Sequence, residues 1–142
     1  MYLSCFHAEP SAAHYDLKNL FDRRYLIEPA MTNNFDSLLN RVGIEELYLR
    51  RYDQDVPPVS FHPAARALLV IGSHADRRRV QRRARAHGMP VFFIDPEGFW
   101  EDGTFISYPL EGTRHDDILC RDRASSALQG LLAHLAGRAD CK

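Results

Sequence analysis

The sequence predicts an α/β domain in which a mostly parallel sheet lies between helices, and residues 66–96 carry the signal. An unbroken apolar run over residues 67–71 ends at Gly72 and Ser73. A helical segment then leads to a second apolar run over residues 90–94. Strands that are apolar on both faces are typical of parallel sheets covered by helices on each side. We therefore expect a three-layer sandwich, flavodoxin-like or Rossmann-like, with a small β-hairpin.

The first elements are predicted from apolar spacing and turn residues. Residues 2–6 are predicted as a strand. Ser11 is placed to cap a helix over residues 12–24, in which apolar side chains recur at the spacing of an amphipathic helix. Residues 25–27 are predicted as a second strand, which ends before Pro29 because proline cannot donate a hydrogen bond to a ladder.

The middle of the chain is predicted as a short helix followed by an extended connection. The polar residues 32–34 offer caps for a helix that Gly43 closes. Residues 44–52 fit both a helix and a strand, and we favour the helix. Residues 53–63 contain three prolines, so we expect an extended connection that is too short to separate domains.

The remaining elements follow the first apolar run. Residues 75–87 are predicted as a helix that Gly88 terminates. Asp102 and Gly103 lie between two aromatic-rich runs, which favours a hairpin with a two-residue turn. Residues 121–136 are predicted as the last helix, because apolar side chains recur along one of its faces.

The composition is that of a folded domain without a strong net charge. The chain has 142 residues, of which 45% are hydrophobic and 26% charged, and its formal net charge is −1. These values exclude a disordered chain and argue against a protein that binds mainly through nucleic-acid phosphates. We expect one domain over residues 1–142, and the sequence indicates no particular oligomeric state.

The cysteines and the apolar runs indicate a cellular compartment. Cys5, Cys120 and Cys141 are an odd number without C-x-x-C spacing, which is typical of reduced thiols in the cytoplasm. The amino terminus lacks the basic region and the long apolar run of a signal peptide. The apolar runs are also far shorter than the roughly 20 residues that span a bilayer. We therefore expect a cytoplasmic protein with no membrane partner.

The carboxyl end of the first apolar run is the predicted ligand crevice, because ligands of open parallel sheets bind where strands lead into helices. Gly72, Ser73, His74 and Asp76 lie at this point, and Arg77 follows them. Free N–H groups and the helix dipole favour an anion such as phosphate there. The alternative is an ordinary helix cap, since no dinucleotide-binding or P-loop signature is present. These five residues are candidate ligand-binding residues.

Acidic residues and a histidine follow two other predicted strands at the same edge. His7 and Glu9 follow the first strand, and Asp95 and Glu97 follow the strand over residues 90–94. An imidazole and a carboxylate at this spacing can perform acid–base or nucleophilic chemistry. His7, Glu9 and Glu97 are therefore candidate catalytic residues, and Asp95 is a further candidate ligand-binding residue. The alternative is that these residues lie in solvent-exposed loops.

Arginines concentrated in the predicted helix over residues 75–87 form a second candidate surface. They are Arg77, Arg78, Arg79, Arg82, Arg83 and Arg85. Such a cluster can bind an acidic protein or a nucleic acid. The alternative, which we favour, is a solvated helix face paired with carboxylates, because no aromatic side chains are interleaved for stacking on bases.

The sequence contains no recognisable metal or cofactor motif. His115, Asp116 and Asp117 form a loop tripeptide, whereas a zinc site needs three or four ligands that converge from separate elements. We expect Asp116 or Asp117 to cap a turn, and we expect no metal and no cofactor.

Three segments carry a family resemblance: the opening strand with Tyr2 and Leu3, the strand that ends at Gly72, and the helix-to-strand junction with Gly88 and Pro90. Together they resemble the nucleoside deoxyribosyltransferase-like group, which is similar to a wider set of Rossmann-like nucleotide-binding domains. The resemblance covers about the first two-thirds of the chain. It implies an α/β fold and a nucleoside or nucleotide ligand.

The resemblance also has implications for individual residues. Asp76 corresponds to an aspartate of the family. The family's nucleophilic glutamate would fall near Val80 or Gln81, and neither side chain can form a glycosyl ester. Nucleoside or nucleotide binding is therefore implied more strongly than transferase chemistry.

Two hypotheses of function follow. The leading one is a domain that binds a nucleotide, a nucleoside or another phosphate- or ribose-bearing ligand at the carboxyl edge of the sheet. Its enzymatic form is hydrolysis or transfer at an N-glycosidic bond, with Glu9 or Glu97 in place of the missing nucleophile. The alternative is a non-enzymatic regulatory or inhibitory module that docks through the arginine-rich helix.

Overall fold

The computed structural model describes residues 9–34, 36–49, 58–73, 76–96, 99–101, 103–106 and 116–140. The chain divides into two compact units, residues 1–50 with 128–142, and residues 51–127. Each unit contains helix and parallel strands, which confirms the predicted α/β class. The single domain over residues 1–142 stays a prediction. No helix within the described ranges is long and apolar enough to cross a bilayer.

Helix α1, Ala12–Asp22, opens the first unit and confirms the predicted cap and helix. The N–H of Ser11 donates to Nδ1 of His14 at 3.0 Å, and the Ser11 hydroxyl oxygen lies 2.9 Å from the same nitrogen. His14 thus takes the place that Glu or Gln usually has in a capping box. The helix buries Leu20 completely, so its apolar face packs as the spacing predicts.

The predicted strand over residues 25–27 is wrong. Arg24 adopts the left-handed region with φ +63°, which turns the chain back at the end of α1. The N–H groups of Tyr25 and Leu26 then donate to the carbonyl of Leu20, at 3.0 and 3.3 Å. Because these two N–H groups already donate to the end of the helix, they cannot donate to a neighbouring strand.

A two-stranded parallel sheet follows, formed by β1, Ala30–Thr32, and β2, Glu46–Tyr48. The preference for helix over residues 44–52 is therefore wrong where the structure describes them. Gly43, with φ +89°, redirects the chain after helix α2, Leu38–Arg41. The N–H of Ala30 then donates to the Glu45 carbonyl at 2.8 Å, which holds this segment in the ladder.

Helix α2 begins later than the sequence predicts. Thr32 belongs to β1, and its hydroxyl accepts a hydrogen bond from the N–H of Asn34 at 3.0 Å, so it caps a turn. The carboxylate of Asp36 accepts from the N–H of Leu38 at 3.1 Å instead. The predicted closure of the helix at Gly43 is confirmed by the hydrogen bond from its N–H to the Asn40 carbonyl, at 3.0 Å.

The second unit contains a parallel sheet in the order β3-β4-β7. The strands are β3, Leu68–Ile71, β4, Val91–Ile94, and β7, Ile118–Cys120. The first two confirm the predicted strands and their parallel pairing. The core consists of Val70, Ala84, Val91 and Phe93, with Phe61, Leu68, Met89 and Leu119 packed against it.

Helix α3, Val80–Ala86, connects β3 to β4 and is shorter than predicted. A 3₁₀ turn, Arg77–Arg79, precedes it, and Arg78 and Arg79 lie in the left-handed region with φ +56° and +55°. Arg77 to Arg79 are therefore not on the α-helix.

The carboxyl end of α3 is as predicted. Gly88 has φ +74°, and the N–H of Met89 donates to the Ala84 carbonyl at 3.0 Å. This arrangement is typical of a helix that ends in a glycine turn.

The predicted hairpin is confirmed by β5, Phe99–Glu101, and β6, Thr104–Ile106, which pair antiparallel. Gly103 in its turn has φ +76°. The last helix, α4, is Ala124–Asp140, and it buries Leu128. The predicted first strand, residues 2–6, lies outside the described residues.

Candidate functional site

The carboxyl ends of β3, β4 and β7 meet at one edge of the sheet because the three strands are parallel. Gly72 and Ser73 follow β3, Asp95 follows β4, and Cys120 ends β7. The N–H of Gly72 donates to the Ile94 carbonyl at 3.0 Å, and the N–H of Asp95 donates to the Cys120 carbonyl at 3.1 Å. These backbone bonds bring Gly72, Ser73 and Asp95 together at the edge where the crevice is predicted.

Asp95 is buried, with only 5% of its surface exposed. It directly follows the central strand, at the edge of the sheet where β3 leads to α3 and β7 leads to α4. Burying a carboxylate costs free energy unless polar groups compensate for the lost water. A buried acid at this place in an open parallel sheet is a candidate ligand-binding group.

The backbone conformation of Gly72 explains why glycine occupies this position. Its φ is +60°, a conformation that side chains other than glycine seldom adopt. Within the described part of the chain, no heavy atom lies within 4 Å of the point a Cβ would occupy. The turn therefore requires glycine, and the described residues leave space beside it.

Asp76 caps helix α3 with its own carboxylate. Oδ1 accepts from the N–H of Gln81 at 2.7 Å, and Oδ2 accepts from the N–H of Arg82 at 3.1 Å. These are N–H groups that an external phosphate would use at a helix amino terminus. Asp76 therefore acts as an ordinary helix cap, the alternative interpretation of this segment.

The six arginines do not form one solvated face. Arg85 donates from Nε to Oδ1 of Asp117 at 3.1 Å and from Nη2 to Oδ2 at 2.6 Å. The two side chains are only 10% and 4% exposed. Arg77 and Arg78 also interact within the protein. Arg85 is thus a structural residue, and Asp117 is its ion-pair partner.

None of the candidate catalytic residues is among the described residues that follow β3, β4 and β7. Glu9 is in the first unit, where its 81% exposed side chain lies 3.4 Å from Nη2 of Arg41. His7, His74 and Glu97 lie outside the described residues, so their roles stay predictions. Within the described ranges, no group of three or more His, Cys, Asp and Glu side chains could hold a metal ion.

Strand β7 and its last residue, Cys120, are the part of the site that the sequence analysis misses. Cys120 is an exposed free thiol at the same edge as Asp95. The only signal is the apolar run of residues 118–120 between charged neighbours, which is too short to show a period. The strands follow β3-β4-β7 in one direction, so no reversal of strand order occurs within this described sheet.

Comparison of the chain with protein-family models, with curated proteins and with solved structures gave no match. The function is therefore inferred from the geometry and charge of this edge.

Proposed function

We propose that the protein binds a nucleoside, or another ribose-bearing molecule, at the carboxyl edge of the β3-β4-β7 sheet. The observation that carries the proposal is the buried carboxylate of Asp95 at the end of the central parallel strand. In Rossmann-type dinucleotide-binding sheets, a carboxylate accepts hydrogen bonds from ribose hydroxyl groups. We also propose that the fold is a three-layer Rossmann-like sandwich, and that the chain resembles the nucleoside deoxyribosyltransferase-like group.

The charge at this edge favours a nucleoside over a nucleotide. Asp76 and Asp95 both place carboxylates there, and Asp76 already occupies the N–H groups at the start of α3. A phosphate would have to displace one anion and lie near another. Arg77 and Arg121 follow strands at the same edge, and they already interact within the protein, as do Ser73 and Asp95. A ligand with hydroxyl or amino groups avoids the repulsion between a phosphate and the two carboxylates.

The open space beside Gly72 provides room for the ligand. With no described heavy atom near the position of a Cβ there, a sugar or base can approach the backbone of the turn. Ser73 is half-buried next to it and carries a hydroxyl that can donate or accept. A bulky side chain in place of Ser73 would block this space.

Binding is tested by calorimetric titration of the protein with adenosine and cytidine, and with their 5′-monophosphates. We expect the nucleosides to bind more tightly than the monophosphates. Asp95→Asn should weaken nucleoside binding about tenfold or more, which corresponds to about 1.4 kcal/mol. The matched control is Asp116→Asn, which removes the same charge from an exposed residue before β7. This control should bind like the wild type.

A second variant covers the case in which Asp95→Asn changes the fold. Ser73→Arg should abolish nucleoside binding while the circular dichroism spectrum stays that of the wild type. Wild-type affinity in Ser73→Arg would contradict the proposal, as would tighter binding of the monophosphates. The enzymatic form would release free base from a bound nucleoside: the Glu97 carboxylate would displace the base from the sugar, and water would then hydrolyse the glycosyl ester. Chromatography of the incubated nucleoside measures that release.

The interaction module is supported by fewer arginines than the sequence indicates. Arg79 and Arg82 are exposed, whereas Arg85 is buried in its pair with Asp117. Docking on an acidic protein or nucleic acid would require these two side chains, and its affinity would fall steeply with salt. The cytoplasmic location stays a prediction from the sequence.

A further inference from the structure

A pocket lies at the opposite edge of the sheet, where β3 and β4 begin. Its volume is about 340 Å³, within the ~300–1,000 Å³ typical of small-molecule sites. It is lined by Phe61, His62, Pro63, Ala65, Arg66, His87, Gly88 and Met89. All of these residues belong to the second unit, and none of them belongs to the candidate site around Asp95.

We call this pocket, at the amino ends of β3 and β4, the amino-edge pocket. Its apolar side chains pack against the core. Phe61 and Met89 both pack against the cluster formed around Phe93. The ring of Phe61 also meets His87 edge to face, with centroids 5.7 Å apart and planes at 78°. An aromatic pair of this geometry restrains both rings. The pocket therefore has an apolar surface that the core holds in place.

The carbonyls of two residues that line the pocket already accept hydrogen bonds. The carbonyls of Pro63 and Ala65 accept from Nη1 of Arg66, at 3.2 and 3.3 Å. At the end of α3, the Ala84 and Arg85 carbonyls accept from the N–H groups that follow the helix. These carbonyls therefore already have donors within the protein.

Hydrogen-bond donors, in contrast, remain available. Nδ1 of His62 accepts from the N–H of Ala64 at 3.0 Å, so a neutral His62 carries its proton on Nε2 and can donate it. The hydrogen bonds that Arg66 donates to the two carbonyls both use Nη1, and Nη2 and Nε can donate to another acceptor. Among the described residues, no carboxylate lies within 4 Å of Arg66.

We propose that the amino-edge pocket binds a small organic carboxylate with a flat apolar body. The carboxylate accepts hydrogen bonds from Arg66 and His62, a geometry that suits the planar guanidinium group. The apolar body lies against Phe61 and Met89. A phosphate dianion fits less well, because it has no apolar body to lie against Phe61 and Met89.

The test is a calorimetric titration of the whole protein with 3-phenylpropionate, with its amide 3-phenylpropionamide, and with inorganic phosphate. We expect the carboxylate to bind at least about tenfold more tightly than the amide, because only the carboxylate forms charge-assisted hydrogen bonds. Arg66→Gln should weaken carboxylate binding by about the same factor. The matched control is Arg82→Gln, an exposed arginine on α3 that does not line the pocket.

The outcomes separate cleanly. Preference for the carboxylate, lost in Arg66→Gln and kept in Arg82→Gln, supports the site. Equal affinity for the amide, tighter binding of phosphate, or an unchanged affinity in Arg66→Gln overturns it. Ala65→Leu, which fills the pocket without removing a charge, should also abolish carboxylate binding. If Arg66→Gln fails to fold, unchanged binding in Ala65→Leu overturns the proposal.

Discussion

The buried ion pair between Arg85 and Asp117 makes the most direct prediction about stability. Asp117→Asn preserves the shape of the side chain but leaves the guanidinium of Arg85 buried without its counter-charge. Removal of one partner from a buried pair costs about 3–5 kcal/mol, a large share of the roughly 5–15 kcal/mol that holds a domain folded. For a chain of this size the melting temperature should fall by on the order of 10–20 °C.

The assay is urea unfolding followed by circular dichroism, with the free energy of unfolding extrapolated to water. Asp22→Asn is the matched control, because Asp22 pairs with Lys18 at 2.9 Å on an exposed face of α1. That exposed pair should contribute no more than about 0.5 kcal/mol. The double change Arg85→Met with Asp117→Leu should recover much of the loss, because it leaves no charge unpaired. A cost below about 1 kcal/mol for Asp117→Asn would refute the reasoning, since exposed pairs have that value.

Two other changes probe the ends of helix α3. Asp76→Ala removes the acceptor for two helix N–H groups and should cost about 0.5–2 kcal/mol in urea unfolding; a loss near zero would mean that the cap contributes nothing. Gly88→Ala should cost about 1–2 kcal/mol, because φ is +74° and the penalty is conformational, with no described atom near its Cβ position. Gly130→Ala inside α4 is the control, and it should raise stability by about 0.5–1 kcal/mol; a fall there, or stability unchanged in Gly88→Ala, would contradict this account.

The elements that the sequence predicts correctly are those with a strong local signal. Strands β3 and β4 are predicted by long, unbroken apolar runs. The hairpin is predicted by a pair of turn residues between two aromatic-rich runs. Strands β1, β2 and β7 have three residues each, so neither a period of two nor a long apolar run marks them. The left-handed turn at Arg78 and Arg79 has no sequence signal, because arginine seldom adopts that conformation.

In the candidate site, too, the residues that end predicted strands could be placed from the sequence, and the contacts between residues far apart in the chain could not. Gly72, Ser73 and Asp95 could be placed at one edge because they end strands that the sequence reveals. The pair of Arg85 with Asp117 joins residues that are 32 positions apart, and no local pattern links them. The amino-edge pocket likewise depends on a loop before β3 meeting the turn after α3. Such contacts are set by tertiary packing, which a single sequence does not display.

The measurement that tests the central claim most directly is an NMR titration of the ¹⁵N-labelled protein with adenosine, followed amide by amide. If Asp95 is part of a nucleoside site, the largest shifts will occur at the amides of Gly72, Ser73, Asp95 and Cys120. The same titration of Asp95→Asn will need about tenfold more adenosine to reach them. Shifts confined to the amino-edge pocket, or no shifts at saturating adenosine, would contradict the proposal that the carboxyl edge binds nucleosides.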